Sequence, residues 1–519
     1  MDAIEILRQD VQEGRIDAER LIDLIAAQQR QLQATHQQLQ AIRQELETSK
    51  QLVEELQKQL PPTANLPEPY SMRSEEKRQE ERGQQKPKAK KKKARRGRVK
   101  TQDKIAKAER IEPVYPEGAQ PKDCYLSHVR TVWRLEKEGR AVLIAYEIHR
   151  DAKGRYGKIP GVLGRSEFGM EFLVEISYLV YIMGLSIDKS RQLLAFFQNL
   201  CLRKAQADAL LNQLSRHWER EFDTLCTLLA NSLVVHADET GWSLNSVWAF
   251  LSEKARVLFF GVHKDAATLK EILDPASFSG LVFSDDAAVY ENFTQSQKCW
   301  AHLLRKAIKL TLQDPNNAAY RAFLDQLLAI YKEARRVQCD GRLGDAGRAR
   351  KVVDLESKVF DLCALMWCED PTAAGPAKDY CLLIQEVSRM MMAGELFQFV
   401  TVQAPVQPNG QTKPVDGTNN ESERTLRNAA QARDTGRANK KTKGARRQSI
   451  ITSVLESLRL YLQNFTLSSV LDEMKRWWAT GKSCFTKLLK KMKLALPKGS
   501  ILDKVLPKPG EQPLPVPSG

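Results

Sequence analysis

The sequence predicts an α/β catalytic domain that is interrupted by a large helical insertion and preceded by a long N-terminal helix. Short apolar runs rich in β-branched and aromatic residues between 233 and 283 predict buried strands. Apolar residues at helical spacing between 301 and 400 predict the insertion. A seven-residue apolar repeat between 19 and 60 predicts a coiled coil. Because 519 residues are too many for one core, we expect several structural units.

The coiled-coil prediction depends on one unbroken apolar row. The a positions are Ile25, Leu32, Leu39, Leu46, Val53 and Leu60. Half of the d positions are polar, which would weaken the pairing and fix its register. The alternative is an amphipathic helix that packs on its own domain. A coiled coil would make the protein a homo-oligomer, and Pro61-Pro62 would end it.

Two basic segments lie on an otherwise slightly acidic chain. The net charge is +16, and Lys86 to Lys100 holds ten Lys or Arg in fifteen residues. Such a run cannot bury itself, so we expect it to stay unstructured until it binds phosphate, unless it is only a solvating linker. The candidate phosphate-binding residues in it are Lys90, Lys91, Lys92, Lys93, Arg95 and Arg96. The second segment, 424–447, has nine basic residues against one acidic residue, and together the two predict DNA as partner.

Cysteine usage and hydropathy favour a cytoplasmic protein. The nine cysteines are scattered without a Cys-x2-Cys pair, so we expect reduced thiols rather than a disulfide framework or a zinc ribbon. The first residues lack the pattern of a signal peptide. The longest apolar stretch, Ile176 to Met183, is too short to span a bilayer. No membrane partner is expected, and a DNA-binding protein would associate with the nucleoid.

Residues 112–229 predict a small mixed segment followed by two helices. Arg140 to Glu147 is the strongest strand signal in the first part. Ser186 is placed to cap a helix that runs to about Asn199, and a second helix is predicted from Lys204 to Leu229. The pair is either a helix-turn-helix that binds DNA or an ordinary helical hairpin.

Two aspartates close apolar runs that predict strands. Asp238 follows Leu233 to Ala237, and Asp285 follows Gly280 to Ser284. A third acid, Glu423, lies in the first turns of a helix that begins near Asn419. At helical spacing Asn420, Glu423 and Arg427 share one face. Two strand-end aspartates and one helix-borne glutamate suit two hard divalent cations, Mg²⁺ or Mn²⁺.

Four segments in sequence order resemble the insertion sequence 66 family of bacterial transposases. They are His236 to Trp242, Gly280 to Tyr290, Cys299 to Arg305 and Asn419 to Arg427. The resemblance covers about residues 120 to 465. It implies a ribonuclease H-like catalytic fold, and it implies that Asp238, Asp285 and Glu423 form a DDE triad. The order of three strands, a helix and a fourth strand agrees with this fold.

The predicted units follow from these observations. They are a coiled-coil helix (1–60), a basic linker (61–111), a small mixed segment with a helical DNA-binding region (112–229), the ribonuclease H-like core in two parts (230–300 and 410–447) around a helical insertion (301–409), C-terminal helices (448–495) and a Pro-rich tail (496–519).

Several neighbours of the three acids leave alternatives open. Glu239 and Asp286 are adjacent carboxylates that compete with Asp238 and Asp285 as ligands. The resembled family has glycine and then tyrosine after its second acid, where this chain has Asp286-Ala287. Each aspartate taken alone is also a common turn former or helix cap.

The remaining candidate residues bind phosphate, bases or metal. Cys299 and His302 are half of a zinc ligand set, and the sequence shows no complement, so we expect His302 to face the cleft or to be buried. Trp242 and Trp300 either stack on bases or lie in the core. The other predicted DNA-binding residues are Arg305, Arg424, Arg427, Arg437, Lys440 and Lys441.

The sequence therefore predicts an enzyme that cuts DNA at the ends of an insertion sequence and joins it to new DNA. A catalytically inactive scaffold derived from such an enzyme is one alternative, and a ribonuclease H-like nuclease without strand transfer is another. The resemblance also implies accessory proteins of the same element as partners.

Overall fold

The computed structural model divides the chain into two units, 1–98 and 99–519. It describes residues 100–136, 138–367, 374–412, 414–439, 441–496 and 499–507, together with scattered positions between 26 and 48. Those scattered positions are helical. Every a and d position of the heptad pattern lies outside the described residues, as do residues 86–99 of the basic segment. The coiled coil and the phosphate-binding arm therefore remain predictions.

A small three-stranded sheet opens the second unit. After a short helix α1 (Thr101–Ile105) come β1 (Arg110–Val114), β2 (Cys124–Leu135) and β3 (Ala141–Asp151). Strand β3 lies in the centre, parallel to β1 and antiparallel to β2. Apolar residues such as Val142 and Ile144 form its separate small core. The strand predicted over Arg140 to Glu147 is confirmed.

Four helical segments connect this sheet to the main one. They are α2 (Met170–Ser177), a π-helical turn (Tyr178–Ile182), α3 (Ile187–Gln198) and α4 (Lys204–Leu229). The Ser186 hydroxyl caps α3 by accepting from the Lys189 amide, and Asn199 ends it in a left-handed conformation with φ of 56°. Both predicted helices are thus confirmed. Helix α4 buries one long face in the main core, as a helix of an ordinary hairpin would. A DNA-binding role for the pair remains a prediction.

The main sheet has five strands in the order β6-β5-β4-β7-β8. They are β4 (Val234–Gly241), β5 (Ser246–Ser252), β6 (Arg256–Val262), β7 (Leu281–Ser284) and β8 (Ser296–Lys298). The first three form an antiparallel meander, whereas β7 is parallel to both β4 and β8. Helix α5 (Ala266–Ile272) connects β6 to β7. The predicted meander, helix and fourth strand are confirmed.

The insertion is helical, as predicted. It contains α6 (Trp300–Gln313), α7 (Ala318–Cys339), α8 (Asp345–Leu365), α9 (Pro376–Met392) and the single turn α10 (Gln398–Thr401). These helices form a second core together with Val234, Leu281 and Phe283 of the sheet. The insertion is thereby anchored on the face of β4 and β7 opposite the main core.

Five helices complete the described chain. They are α11 (Asn420–Asp434), α12 (Thr442–Tyr461), α13 (Leu467–Thr480), α14 (Cys484–Lys491) and α15 (Leu502–Val505). Helix α12 covers the edge strand β6 through three serines spaced four residues apart. The hydroxyls of Ser449, Ser453 and Ser457 accept hydrogen bonds from the amides of Phe260, Leu258 and Arg256, each at 2.9 Å. The helix therefore satisfies a sheet edge that a strand would otherwise pair.

One expectation about the cysteines is wrong. Seven of them are free thiols, but Cys381 is disulfide-bonded, to a partner outside the described residues. Among the described residues, no helix has the length and apolarity needed to cross a membrane.

Candidate active site

The first two acids lie on neighbouring parallel strands. The pairing of β4 with β7 ends at His236 opposite Phe283. Two residues further along each strand are Asp238 and Asp285, so the same register places them side by side. Asp285 directly follows β7, as expected. Asp238 is not at a strand end as predicted, because β4 continues to Gly241 by pairing with β5.

The third acid reaches the same place from α11. This helix packs against β4 and β5 and carries Glu423 in its first turn. Glu423 Oε1 accepts a hydrogen bond from the Arg305 guanidinium at 2.6 Å and lies 3.6 Å from His302 Nε2. His302 and Arg305 project from the first turns of α6, so the two predicted cleft residues surround the third acid.

Hydrogen bonds of Cys299 and Asn419 connect the three chain segments that carry the acids. The Cys299 amide donates to the carbonyl of Ser284, at 3.0 Å, next to Asp285. The Asn419 amide donates to Cys299 Sγ at 3.1 Å, and Asn419 Nδ2 donates to the Ala237 carbonyl at 2.7 Å, next to Asp238. Asn419 is also the N-cap residue of the helix that carries the third acid. Cys299 and Asn419, both buried, therefore join the three segments.

Burial and the charges of neighbouring acids both act on Asp238. Burial raises the pKa of Asp238 to about 7, with further upward contributions from the charges of Glu239, Asp285 and Glu423. A hydrogen bond from the Glu239 amide acts in the opposite direction. Buried, mutually repelling carboxylates are stabilised by a cation, so this pocket is suited to bind one.

The two competing carboxylates each have partners of their own. Glu239 accepts from the Tyr290 hydroxyl and pairs with Lys264 Nζ at 2.8 Å. Asp286 pairs with Arg389, which comes from α9 of the insertion. Lys264 and Arg389 lie far from these acids in sequence, and no local pattern identified them. Glu239 and Asp286 are therefore each engaged in an ion pair with a basic residue.

The buried Lys298 contacts the backbone of the second acid, Asp285. Lys298 is 2% exposed, and its ammonium group donates to the main-chain oxygen of Asp285 at 3.3 Å. Glu395 lies 3.9 Å from the same nitrogen and 3.6 Å from Arg389. Lys298 of β8, together with Arg389 and Glu395 of the insertion, therefore forms a charged network that contacts both Asp285 and Asp286.

Comparison with known families identifies the chain. The model of the Transposase IS66 family matches residues 165–447, more than half of the sequence. The chain belongs to the IS66 family of transposases. The match includes the main sheet, the insertion and α11, and thus every residue of the cluster described above. No curated protein matches the chain.

Other predicted DNA-binding residues of this transposase are distributed around α11. Arg424 and Arg427 are exposed, and neither is in an ion pair with a described residue. The nearby acids Glu421 and Glu423 pair with Arg256 and Arg305. Arg424 lines a cavity of about 210 Å³. Lys441 is exposed, and Lys440 lies outside the described residues.

Part of the second basic segment stabilises the fold of the transposase instead of facing solvent. Arg446 pairs with Glu219 and Asp503, and Arg447 pairs with Asp208. Arg437 donates to the Gly184 carbonyl but remains exposed. Fewer cations are therefore available to phosphate than the sequence count indicated.

Both tryptophans of the motifs lie in the core. Trp242 is 2% exposed and packs on Phe260, and Trp300 is fully buried with its indole N–H bonded to the Leu396 carbonyl at 2.7 Å. The core alternative is confirmed for both, and stacking on bases is excluded for this conformation.

Proposed function

We propose that Asp238, Asp285 and Glu423 form the DDE triad of a metal-dependent DNA transposase with a ribonuclease H-like catalytic domain. The observation that supports this most is the register that aligns Asp238 with Asp285 on neighbouring strands, with Glu423 near enough for its charge to raise the pKa of Asp238 further. The strand order, with an antiparallel meander beside two parallel strands, supports the fold assignment.

The donor set fits magnesium or manganese. All three groups offer carboxylate oxygens, the ligands that hard divalent cations prefer. Two such ions, when bound, supply charge neutralisation at the scissile phosphate and activation of the attacking water or 3′-OH. Asp238, Asp285 and Glu423 would hold these ions, and the charges of the other two acids both act on Asp238.

The remaining residues position the acids and the DNA. Arg305 neutralises Glu423 in this conformation, and release of that ion pair frees a guanidinium for phosphate. Lys264 and Tyr290 hold Glu239 out of competition, and Arg389 does so for Asp286. Arg424 and Arg427 extend the phosphate-binding surface along α11.

The first prediction is that Asp238→Ala abolishes strand transfer in Mg²⁺ while DNA binding is retained, because the change removes a ligand and a negative charge beside phosphate. The assay uses the DNA sequences that flank the gene as donor ends. Asp361→Ala, an exposed aspartate on α8, is the matched control and should retain activity. Activity of the Asp238 variant within tenfold of the parent would refute the assignment. Cleavage without joining in the parent protein would indicate a nuclease.

A further inference from the structure

The sequence supplies two residues of a zinc ligand set, Cys299 and His302, and the structure places a third beside them. Ligand atoms of Cys299, His302 and Glu423 all lie within 4.8 Å of one another. Cys299 precedes the first residue of α6, and His302 lies in its first turn, whereas Glu423 arrives from α11. The missing complement is therefore contributed by a helix more than a hundred residues away in sequence.

The chemistry of this set differs from that of the acid triad. A thiolate, an imidazole and a carboxylate match zinc, which is commonly held by Cys, His and acidic ligands, whereas Mg²⁺ prefers oxygen alone. Ligands about 2.0–2.3 Å from a tetrahedral zinc lie about 3.3–3.8 Å apart, so the three atoms need to approach by about 1 Å. Three protein ligands would leave a fourth position to water.

Two further observations point to a ligand here. His302 Nδ1 is buried and has no hydrogen-bond partner among the described residues. The Cys299 sulfur accepts a hydrogen bond from the Asn419 amide at 3.1 Å beside the N-terminus of the 14-residue helix α6. Burial nevertheless raises the pKa of this thiol, so without a metal the sulfur keeps its proton. A buried imidazole nitrogen without a hydrogen-bond partner, beside a thiol, offers a transition metal two ligands.

We propose that Cys299, His302 and Glu423 form a Zn²⁺-binding site that shares Glu423 with the acid triad. Binding replaces the ion pair between Glu423 and Arg305, which is half exposed and can return to solvent. The thiol releases its proton to solvent as the metal–sulfur bond forms. Occupation withdraws Glu423 from Asp238 and Asp285, so zinc inhibits the enzyme; this consequence rests on the proposed function.

Cobalt is the probe, because thiolate ligation to Co²⁺ produces a near-ultraviolet charge-transfer band, and tetrahedral Co²⁺ produces intense visible bands. Titration of the metal-free full-length protein should give both bands at one equivalent, and Zn²⁺ should remove them. Cys299→Ser should abolish the charge-transfer band, and Cys339→Ser, at an exposed free thiol, should retain it. Glu423→Gln should weaken Co²⁺ binding at least tenfold. Absence of the band in the parent protein, or its persistence in the folded Cys299 variant, overturns the site.

A second readout separates this site from the proposed catalytic function. Asp238→Asn should keep the cobalt bands and lose strand transfer. In Mg²⁺, micromolar Zn²⁺ should inhibit the parent, and the activity that Cys299→Ser retains should resist the same concentration. Equal inhibition of both proteins would show that zinc does not act through Cys299. Cobalt bands in a protein without strand transfer would refute the proposed function but not the metal site.

Discussion

Glu175 on α2 gives the protein a pH-dependent stability that is independent of the acid cluster. Burial raises the pKa of this carboxyl from 4.5 to about 7, and Glu171 contributes in the same direction, while the amide of Gln198 donates to it and lowers the pKa. Because the folded-state pKa is above the unfolded one, stability is fully present below about pH 4.5 and is lost as pH rises through 7.

The second prediction follows from the raised pKa of Glu175 in the folded protein. Glu175→Gln should stabilise the protein at pH 8 by about 2 kcal/mol, after allowing for the partial exposure of the group, and should change little at pH 4.5. Urea unfolding at both pH values measures the difference. Glu291→Gln, an exposed glutamate, is the control. A gain of equal size at both pH values would contradict the titration account.

Asn419 is the residue on which the arrangement of the three acids most depends. It is fully buried, and its side chain and backbone contact both the strand of Asp238 and the sulfur of Cys299. Its carboxamide oxygen also accepts from the Ser422 hydroxyl at 2.5 Å. A small displacement of this residue would move Glu423 relative to the two aspartates.

The third prediction is that Asn419→Ala weakens Mn²⁺ binding about tenfold, as expected for a residue that supports metal ligands without touching the metal. It should also cost about 1–3 kcal/mol of stability, because the Ala237 carbonyl loses its partner. Electron paramagnetic resonance of free Mn²⁺ measures the affinity. Asn428→Ala, on the same helix, is the control, since its amide donates only to the Ile182 carbonyl at 3.4 Å. Unchanged Mn²⁺ affinity in a destabilised Asn419 variant would limit this residue to a structural role.

Helix α12 hydrogen-bonds to the edge of β6, where another β-strand could otherwise pair. Its serines are spaced four residues apart on a helix that rises about 6 Å over that interval. The amides that they satisfy are two residues apart on a strand, a distance of about 6.8 Å. The near match of these repeats lets one helix face follow the strand.

The fourth prediction concerns the middle serine. Ser453→Ala leaves the buried Leu258 amide without an acceptor and should reduce the free energy of unfolding by about 1–3 kcal/mol. Chemical denaturation compares it with Ser468→Ala, an exposed serine on α13, which should be neutral. A loss no greater than that of the control would mean that the strand amide finds another partner.

From the distribution of charge along the sequence, we expect most phosphate binding to come from the basic segment Lys86 to Lys100. In the second basic segment, Arg446 and Arg447 form ion pairs with acidic residues of the protein itself. Lys86 to Lys100, in contrast, has no acidic residue within it. Binding by such a segment releases counterions and does not distinguish bases.

The fifth prediction is that neutralising the ten cations between 86 and 100 weakens binding to specific and random duplexes equally. The slope of log affinity against log salt should become shallower by up to about 0.9 per lost phosphate contact. Neutralising Lys487, Lys490 and Lys491 on α14 is the control for net charge. An unchanged slope would make the segment a spacer, and a loss confined to one sequence would mean that it contacts bases.

Local patterns in the sequence determined the elements of this protein. Alternation and apolar runs identified β4 to β7, helical spacing identified the insertion and α11, and Ser186 identified the start of α3. These features depend on neighbours within a few residues, which is the range over which hydrogen bonding and side-chain periodicity act. Strand β8, only three residues long, is too short to show a period and was missed.

Tertiary structure decided what surrounds the acids. Cys299 meets Asn419 across 120 positions of sequence, and Arg389 meets Asp286 across 103. Such contacts pair Glu239 with Lys264, bring Glu423 to Cys299 and His302, and place Arg446 in ion pairs within the protein. No local pattern encodes them, because the residues in contact are far apart in sequence and are brought together by the packing of different elements.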